Sequence, residues 1–354
     1  MEKLKGKELI EEIAKAAGIS RSAVYAALDP ASSKIRVGKA KRELVAQLAA
    51  ERGYVKNELA SSLGTGRTNT IGLCIQSLRG GFFTEFFMTF DEMAYKNGYT
   101  TMFSCWEFDV QREEKILKAF IGKRVDAIAI AGYNAYGMDE ALAEYSKAGG
   151  VVIFLGDAPV DGFHKIVFDE RGATELQARH LWSLNHKKVA HLNASASNDE
   201  RIELHCNRCK YFTAAWRKLS GKAPLCISIR SDLEISAAAD AAIAAKITGI
   251  ACTNDDMAIR LIAALQAKGV RVPDDISVVG LDDIESSAMF SPPLSTVRLP
   301  TGVLAKIAWQ RLKEKLSSPN SPAERILIAP ELVVRQSTAP LRLSNLAKLN
   351  EEAS

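Results

Sequence analysis

Aromatic rings and carboxylates recur in this sequence just after short, strand-like apolar runs. Ser77 to Phe83 follow TIGLCIQ, Trp106 follows TTMFSC, Tyr133 and Asn134 follow AIAIAG, and Asp157 follows VVIFLG. Asn254 and Asp255 follow IACT, Asp282 follows ISVVGL, and Phe168 is read with the same set. A small polar ligand needs rings to stack on and carboxylates to accept its paired hydroxyls. In open α/β sheets such ligands sit beyond the carboxyl ends of the strands. Each residue also has a plainer reading: Phe82 and Phe83 as core, Asp282 and Asp283 as caps of the following turn.

A second chemistry lies near the N-terminus. In SRSAVYAAL, Ser20 stands where a helix N-cap belongs, and with it Arg21, Ser22, Tyr25 and Ala26 lie near the start of a short helix that would offer them to a DNA major groove. Arg21 carries the fork that suits guanine O6 and N7. A third pattern, HCNRC, puts His205, Cys206 and Cys209 at metal-like spacing. A structural zinc site wants a second such pair nearby, and Cys226 and Cys252 stand isolated in apolar runs, so these read as ordinary helix residues. No metal and no cofactor is expected.

The elements that position these residues follow from periodicity. Strand-like runs alternate with helical ones such as MTFDEMAYKNG, QREEKILKAFIGK, ATELQARHLWSL and DDMAIRLIAALQAKG. Strand–helix alternation over this length predicts parallel sheets covered by helices, divided into two lobes. Ahead of them, Leu9, Ile10, Ile13, Ala14 and Ala17 form a helical stripe that stops at Gly18. A second short helix turns Ala23, Val24, Ala27 and Leu28 inward, and a third, KAKRELVAQLAAERG, buries Leu44, Val45 and Leu48. The spacing Ala14, Gly18, Val24 suits a helix-turn-helix: a small residue at the crossing, a glycine in the turn, a branched residue as the lock. A generic three-helix bundle is the alternative.

Charge favours DNA. Residues 1–66 carry twelve Lys or Arg against eight Asp or Glu, which accounts for the whole net charge of +4, while the other residues balance at 34 of each. A basic module on a neutral body points to a polyanion partner, with a solvated basic surface as the plainer alternative. The N-terminus MEKLKGKELIEEIAK has no apolar signal-peptide core, and the longest apolar runs, VVIFL and AIAIA, are strand-sized. A cytoplasmic protein with six reduced cysteines is expected.

Between the two regions lies NELASSLGTGRT, residues 57–68. It lacks P-loop spacing and follows a helix where a P-loop follows a strand. Leu59, Ala60 and Leu63 make one apolar face of two helical turns, too short to hold alone in water.

From about Ile10 to Pro340 the sequence resembles the lactose-repressor family of bacterial regulators. The resemblance is carried by IAKAAGISRSAVYAAL, RGYVKNELASSLGTGRTNTIGL, VRVPDDISVVGLDD and PELVVRQST, in the family's order. It implies an N-terminal all-α helix-turn-helix domain over 1–55 and a hinge helix and linker over 56–68. It further implies an α/β, periplasmic-binding-protein-like core of two doubly wound parallel-sheet lobes over 69–340, with a tail over 341–354. In such a family the hinge helices of a homodimer pair in the minor groove. Leu63 matches the residue that wedges between base pairs, Ala60 faces the groove and Asn57 starts the helix. Effector positions carry over onto Phe82, Phe83, Asp157, Phe168, Arg208, Asp255 and Asp282. The chain departs from the family pattern at Lys56 (a proline there), Tyr211 (a glycine), Gly80–Gly81 (Asn-Pro) and the Tyr25–Ala26 pair.

The resulting expectation is a ligand-responsive, sequence-specific regulator, most simply a repressor, that binds double-stranded operator DNA as a homodimer. Pairing of dimers into tetramers is left open. A sugar is the first choice of effector, a purine or phosphorylated metabolite the second. The rivals are a doubly wound enzyme, for which neither a Gly-x-Gly-x-x-Gly turn nor a nucleophile with its base is found, and a solute-binding protein.

Overall fold

The computed structural model describes residues 6–28, 35–54, 62, 66–194 and 204–341. Two compact units divide the chain, Met1–Asn69 and Thr70–Ser354.

The first unit contains α1 (Gly6–Ala17), α2 (Arg21–Leu28) and α3 (Lys39–Glu51). Ile10, Ile13, Ala14 and Ala17 of α1 meet Val24 of α2 and Val45 and Ala49 of α3 in a buried cluster. Gly18 adopts φ +62°, the left-handed turn between α1 and α2 that glycine enters without penalty. Ser20 caps α2, its hydroxyl accepting the Ala23 N–H at 3.2 Å. The α3 stripe runs through Val45, Leu48 and Ala49, and Leu44, expected inside, is exposed. Positions 45, 48 and 49 share one helical face, and position 44 falls on its edge.

The second unit has two lobes. The first lobe's sheet is six-stranded and wholly parallel, in the order β11-β5-β4-β3-β1-β2. Its strands are β1 (Thr70–Ile75), β2 (Thr100–Cys105), β3 (Ala127–Ala131), β4 (Val151–Leu155), β5 (His164–Phe168) and β11 (Arg325–Ile328). One face is covered by α4 (Phe82–Lys96) through Phe83, Phe86, Phe90 and Ala94, together with α11 (Thr301–Ser317) through Leu304, Ala305, Ala308 and Leu312. The other face is covered by α5 (Val110–Gly122) and α6 (Asp139–Lys147). The central strands read as unbroken apolar runs because both of their faces are buried.

The second lobe's sheet is four-stranded and parallel, in the order β7-β6-β8-β9. It comprises β6 (Val189–Ala194), β7 (Leu225–Ile229), β8 (Gly249–Cys252) and β9 (Ser277–Val279). Ala190, Leu192, Ile250 and Cys252 face α9 (Ile235–Ala244) and α10 (Asp255–Ala267). On the opposite face, Val189 and Ala251 meet α7 (Glu170–Ser183) and α8 (Leu204–Ser220). The chain passes between the lobes after Phe168, after β10 (Thr296–Arg298) and after Ile328, where β12 (Glu331–Val333) pairs antiparallel with β10. Among the described residues no helix is long and apolar enough to cross a membrane.

Candidate functional site

The second lobe gathers its charged residues at the carboxyl ends of its strands. Helix α8 lays Arg208, only 4% exposed, between α7 and the strand ends. Its Nε and Nη2 donate to Glu170 at 2.6 and 2.9 Å. Its Nη1 donates to the Thr253 carbonyl at 2.6 Å and reaches Asp282 at 3.5 Å. Burial alone would lower the guanidinium's pKa, but Glu170 and then Asp282 outweigh it and raise it, so Arg208 stays charged. The fork on Glu170 uses the planar geometry that a lysine lacks.

Asp282 lies on strained backbone at φ +125°, followed by Asp283 at φ +60°. Such conformations persist where neighbours over-determine them, and they gather at ligand sites. Here the Asp282 N–H donates to the Val297 carbonyl at 2.8 Å, while Arg298 and Arg335 clamp the Asp283 carboxylate at 2.7 and 2.6 Å. Burial pushes the Asp282 carboxyl well up, Arg208 pulls it back, and Asp255 and Glu170 push it further.

Around this trio lie polar groups that sequence reading missed. Gln177 of α7 donates to the carbonyls of Cys252 and Gly280 at 2.9 and 2.8 Å, tying β8 to β9. The Thr253 hydroxyl, the Asn193 amide oxygen and both His191 ring nitrogens are buried without a hydrogen-bond partner among the described residues. His191 packs on Phe212 of α8 at 5.1 Å between centroids, and burial, helped by Arg208, pushes its pKa down to about 3. The available signal was the alternation in VAHLNA: polar residues at every second position of a central strand must face something polar.

Two of the expected carboxylates do not join this set. Asp255 is fully buried and sealed by the Ile284 N–H at 3.1 Å, the Ser287 hydroxyl at 2.6 Å and the Thr296 hydroxyl at 2.5 Å. It binds the α10 start to the segment after β9, so its carboxylate is already used as a structural lock. A Cβ on Gly280 would come within 2.0 Å of its Oδ1, which is why glycine stands there. Asp157 is exposed and turned to the edge strand, where Arg325 holds it at 3.1 and 2.7 Å. Neighbouring Asn254 caps α10 by accepting the Met257 N–H at 2.8 Å.

Of the aromatic pair, Phe83 is buried in the first lobe's core. Phe82 is half-buried, 6.0 Å from the ring of Phe168, and both pack against Leu281, Val297 and Leu299 of the second lobe. Gly80 comes close to Asp256 across the same seam, with 3.4 Å from an added Cβ to that side chain. Trp106 and Tyr133 are core residues with their own backbone partners, the Ala131 and Ala135 carbonyls.

In the N-terminal unit Arg21 is exposed and paired with Glu11 at 2.6 Å, and Ser22 and Tyr25 are exposed beside it. Ala26, expected at the groove, is 1% exposed and belongs to the packed side of α2. Asn57, Ala60 and Leu63 lie outside the described residues, as do the side chains of His205 and Cys206. Cys226, isolated in sequence, lies with its sulfur 3.1 Å from that of Cys209.

Residues 178–338 match the periplasmic binding protein-like domain family. The chain is 29% identical over 344 residues to the HTH-type transcriptional repressor PurR of Photobacterium profundum, covering 94% of this chain and 99% of that protein. It is 28% identical over 344 residues to the HTH-type transcriptional regulator DegA of Bacillus subtilis, covering 95% and 99%. The fold is similar to the lac repressor dimer bound to operator and the anti-inducer ONPF, with TM-score 0.78 and 23% identity over 92% of this chain and 98% of that one. With a helix-turn-helix unit ahead of two parallel-sheet lobes, the chain is similar along almost its entire length to these HTH-type transcription regulators and shares the fold of the lac repressor.

Proposed function

We infer that this regulator reads duplex DNA through α2, with Arg21, Ser22 and Tyr25 toward the bases, and takes a neutral polyhydroxylated effector, a sugar, between its lobes. The observation that carries the effector reading is the buried Arg208, which joins Glu170, Thr253 and Asp282 where strand ends meet. Phe82 and Phe168 supply the apolar wall, and Asp282, Asn193 and Thr253 supply acceptors and donors for hydroxyls. Two carboxylates beside one guanidinium weigh against a phosphorylated effector, whose charge would add to theirs. The lac repressor in its operator complex is the relative that brings DNA to this reading. Asn57, Ala60 and Leu63 keep their hinge roles by family resemblance, and the homodimer follows from the two-fold pairing those roles require.

The test is selection of bound duplexes from random DNA by the full chain, alone and with sugar and purine pools. An enriched palindrome whose affinity changes by roughly 5–150-fold with a sugar supports the reading, that range being the usual coupling of about 1–3 kcal/mol. A response to a purine and to no sugar replaces the effector. No enriched sequence under any condition removes the DNA reading. Arg208→Met is expected to weaken effector binding at least about ten-fold in calorimetry, since a hydrogen bond to a charged group contributes about 1.5–3 kcal/mol.

A further inference from the structure

Cys209 and Cys226 are distant in sequence, and two independent features of the backbone bring them together. In the β6–β7 register, Cys226 lies opposite His191, so the two side chains leave the same face of the sheet. The His191 ring packs on Phe212, which identifies that face as the one α8 covers. Cys209 stands three residues before Phe212 and so on the same side of the helix. The sulfurs are 3.1 Å apart, and the Thr213 hydroxyl, one turn further along α8, is 3.6 Å from Cys226. A disulfide bond is about 2.05 Å long, so closure needs an approach of about 1 Å.

Access differs within the pair in a useful way. β7 is an edge strand of its sheet, and Cys226 is exposed on it, whereas Cys209 is half-buried behind it. Cys74 and Cys252 are buried, and burial pushes both thiols up, so they stay protonated and inert.

We propose that Cys209 and Cys226 form a redox modification site, a dithiol that a hydroperoxide converts to an intrachain disulfide pinning α8 to β7. The exposed Cys226 attacks the peroxide oxygen as its thiolate, the O–O bond breaks, and the departing oxygen leaves as water or alcohol once protonated. The sulfenic acid formed at Cys226 is then attacked by Cys209, its oxygen leaves as a second water, and the S–S bond forms. Two thiols lose two electrons and two protons, and the peroxide is reduced by the same two electrons. Because Arg208 precedes Cys209 on α8, the bond also fixes the turn of helix that carries the arginine. The chemistry of the thiol pair does not depend on the identity of the effector.

The full chain, reduced and then exposed to graded hydrogen peroxide, is alkylated and mapped by mass spectrometry without reduction. A Cys209–Cys226 linked peptide is expected to accumulate before Cys74 or Cys252 is modified, and dithiothreitol is expected to restore both thiols. Cys226→Ser and Cys209→Ser each lose the linked peptide, while Cys105→Ser keeps it. Equilibration with a glutathione redox series should give one two-electron transition for this pair, a readout independent of any substitution. Over-oxidation of Cys226 without linkage overturns the proposal. A bond joining two chains, or one from Cys226 to Cys206, does so equally.

Discussion

Both lobes of the core place polar residues at the carboxyl ends of parallel strands, yet they handle them differently. In the first lobe the strand-end groups are satisfied internally: Trp106 and Tyr133 bond to backbone, Glu113 accepts the Asn134 N–H at 3.0 Å, and Asp157 is paired outward with Arg325. What remains toward the seam is a ring, Phe82. In the second lobe an arginine and two acids are drawn into a buried cluster on strained backbone, beside polar atoms without partners among the described residues. One lobe presents an apolar ring to the seam and the other a buried polar cluster, and the proposed effector site rests on that difference. Position after a strand is therefore not sufficient for a binding role; what decides it is whether neighbouring elements have already used the group.

Asp255 is the strongest test of that distinction. Asp255→Ala leaves two hydroxyls and a backbone N–H unpaired in a sealed site, and is expected to cost about 3–5 kcal/mol in urea unfolding. A variant of unchanged stability that loses effector binding would return Asp255 to the ligand site.

Glu113 gives a smaller effect on the first-lobe side. Burial raises its pKa to about 8, against the pull of the Asn134 and Ala135 N–H groups. A carboxyl raised on folding stabilises the protein fully below its unfolded value of 4.5 and loses that contribution as pH climbs through 8. Stability should fall by up to about 1.4 kcal/mol per pH unit between about pH 4.5 and 8. Glu113→Gln should flatten this part of the profile measured by chemical denaturation. A slope that persists in the variant would assign it to another group.

The smallest effect belongs to Asp157. Its pair with Arg325 is exposed, so Asp157→Asn should change stability by less than about 1 kcal/mol. Effector affinity measured by calorimetry should be unchanged. A large loss of affinity would move this carboxylate back among the ligand contacts.

Much of the architecture is legible in the sequence. Eight strand runs, from TIGLCIQ to ISVVGL, were readable, most plainly the central ones, because strands buried on both faces need continuous apolar sequence. β5, β10, β11 and β12 were not, since HKIVF, TVR, RILI and ELV are short or interrupted by charge and gain their place from a neighbour's register. Asp282 was legible as a ligand candidate from its place after a strand-like run, and Arg208 through family resemblance. Their partner Glu170 carried no local signal, because the contact that matters spans 38 residues.

By itself the sequence determined the periodicities, the glycine turn at Gly18, the segregation of positive charge into the first 66 residues, and so the division into a basic helical unit and an α/β core. These properties are local, because backbone sterics and side-chain spacing act over a few residues. Tertiary structure alone decided which acids are sealed by their neighbours and which join the Arg208 cluster, that Ala26 is packed, and that Cys209 meets Cys226. Those outcomes depend on what another element places within a few ångströms, and on the cost of burying a polar group that finds no partner there.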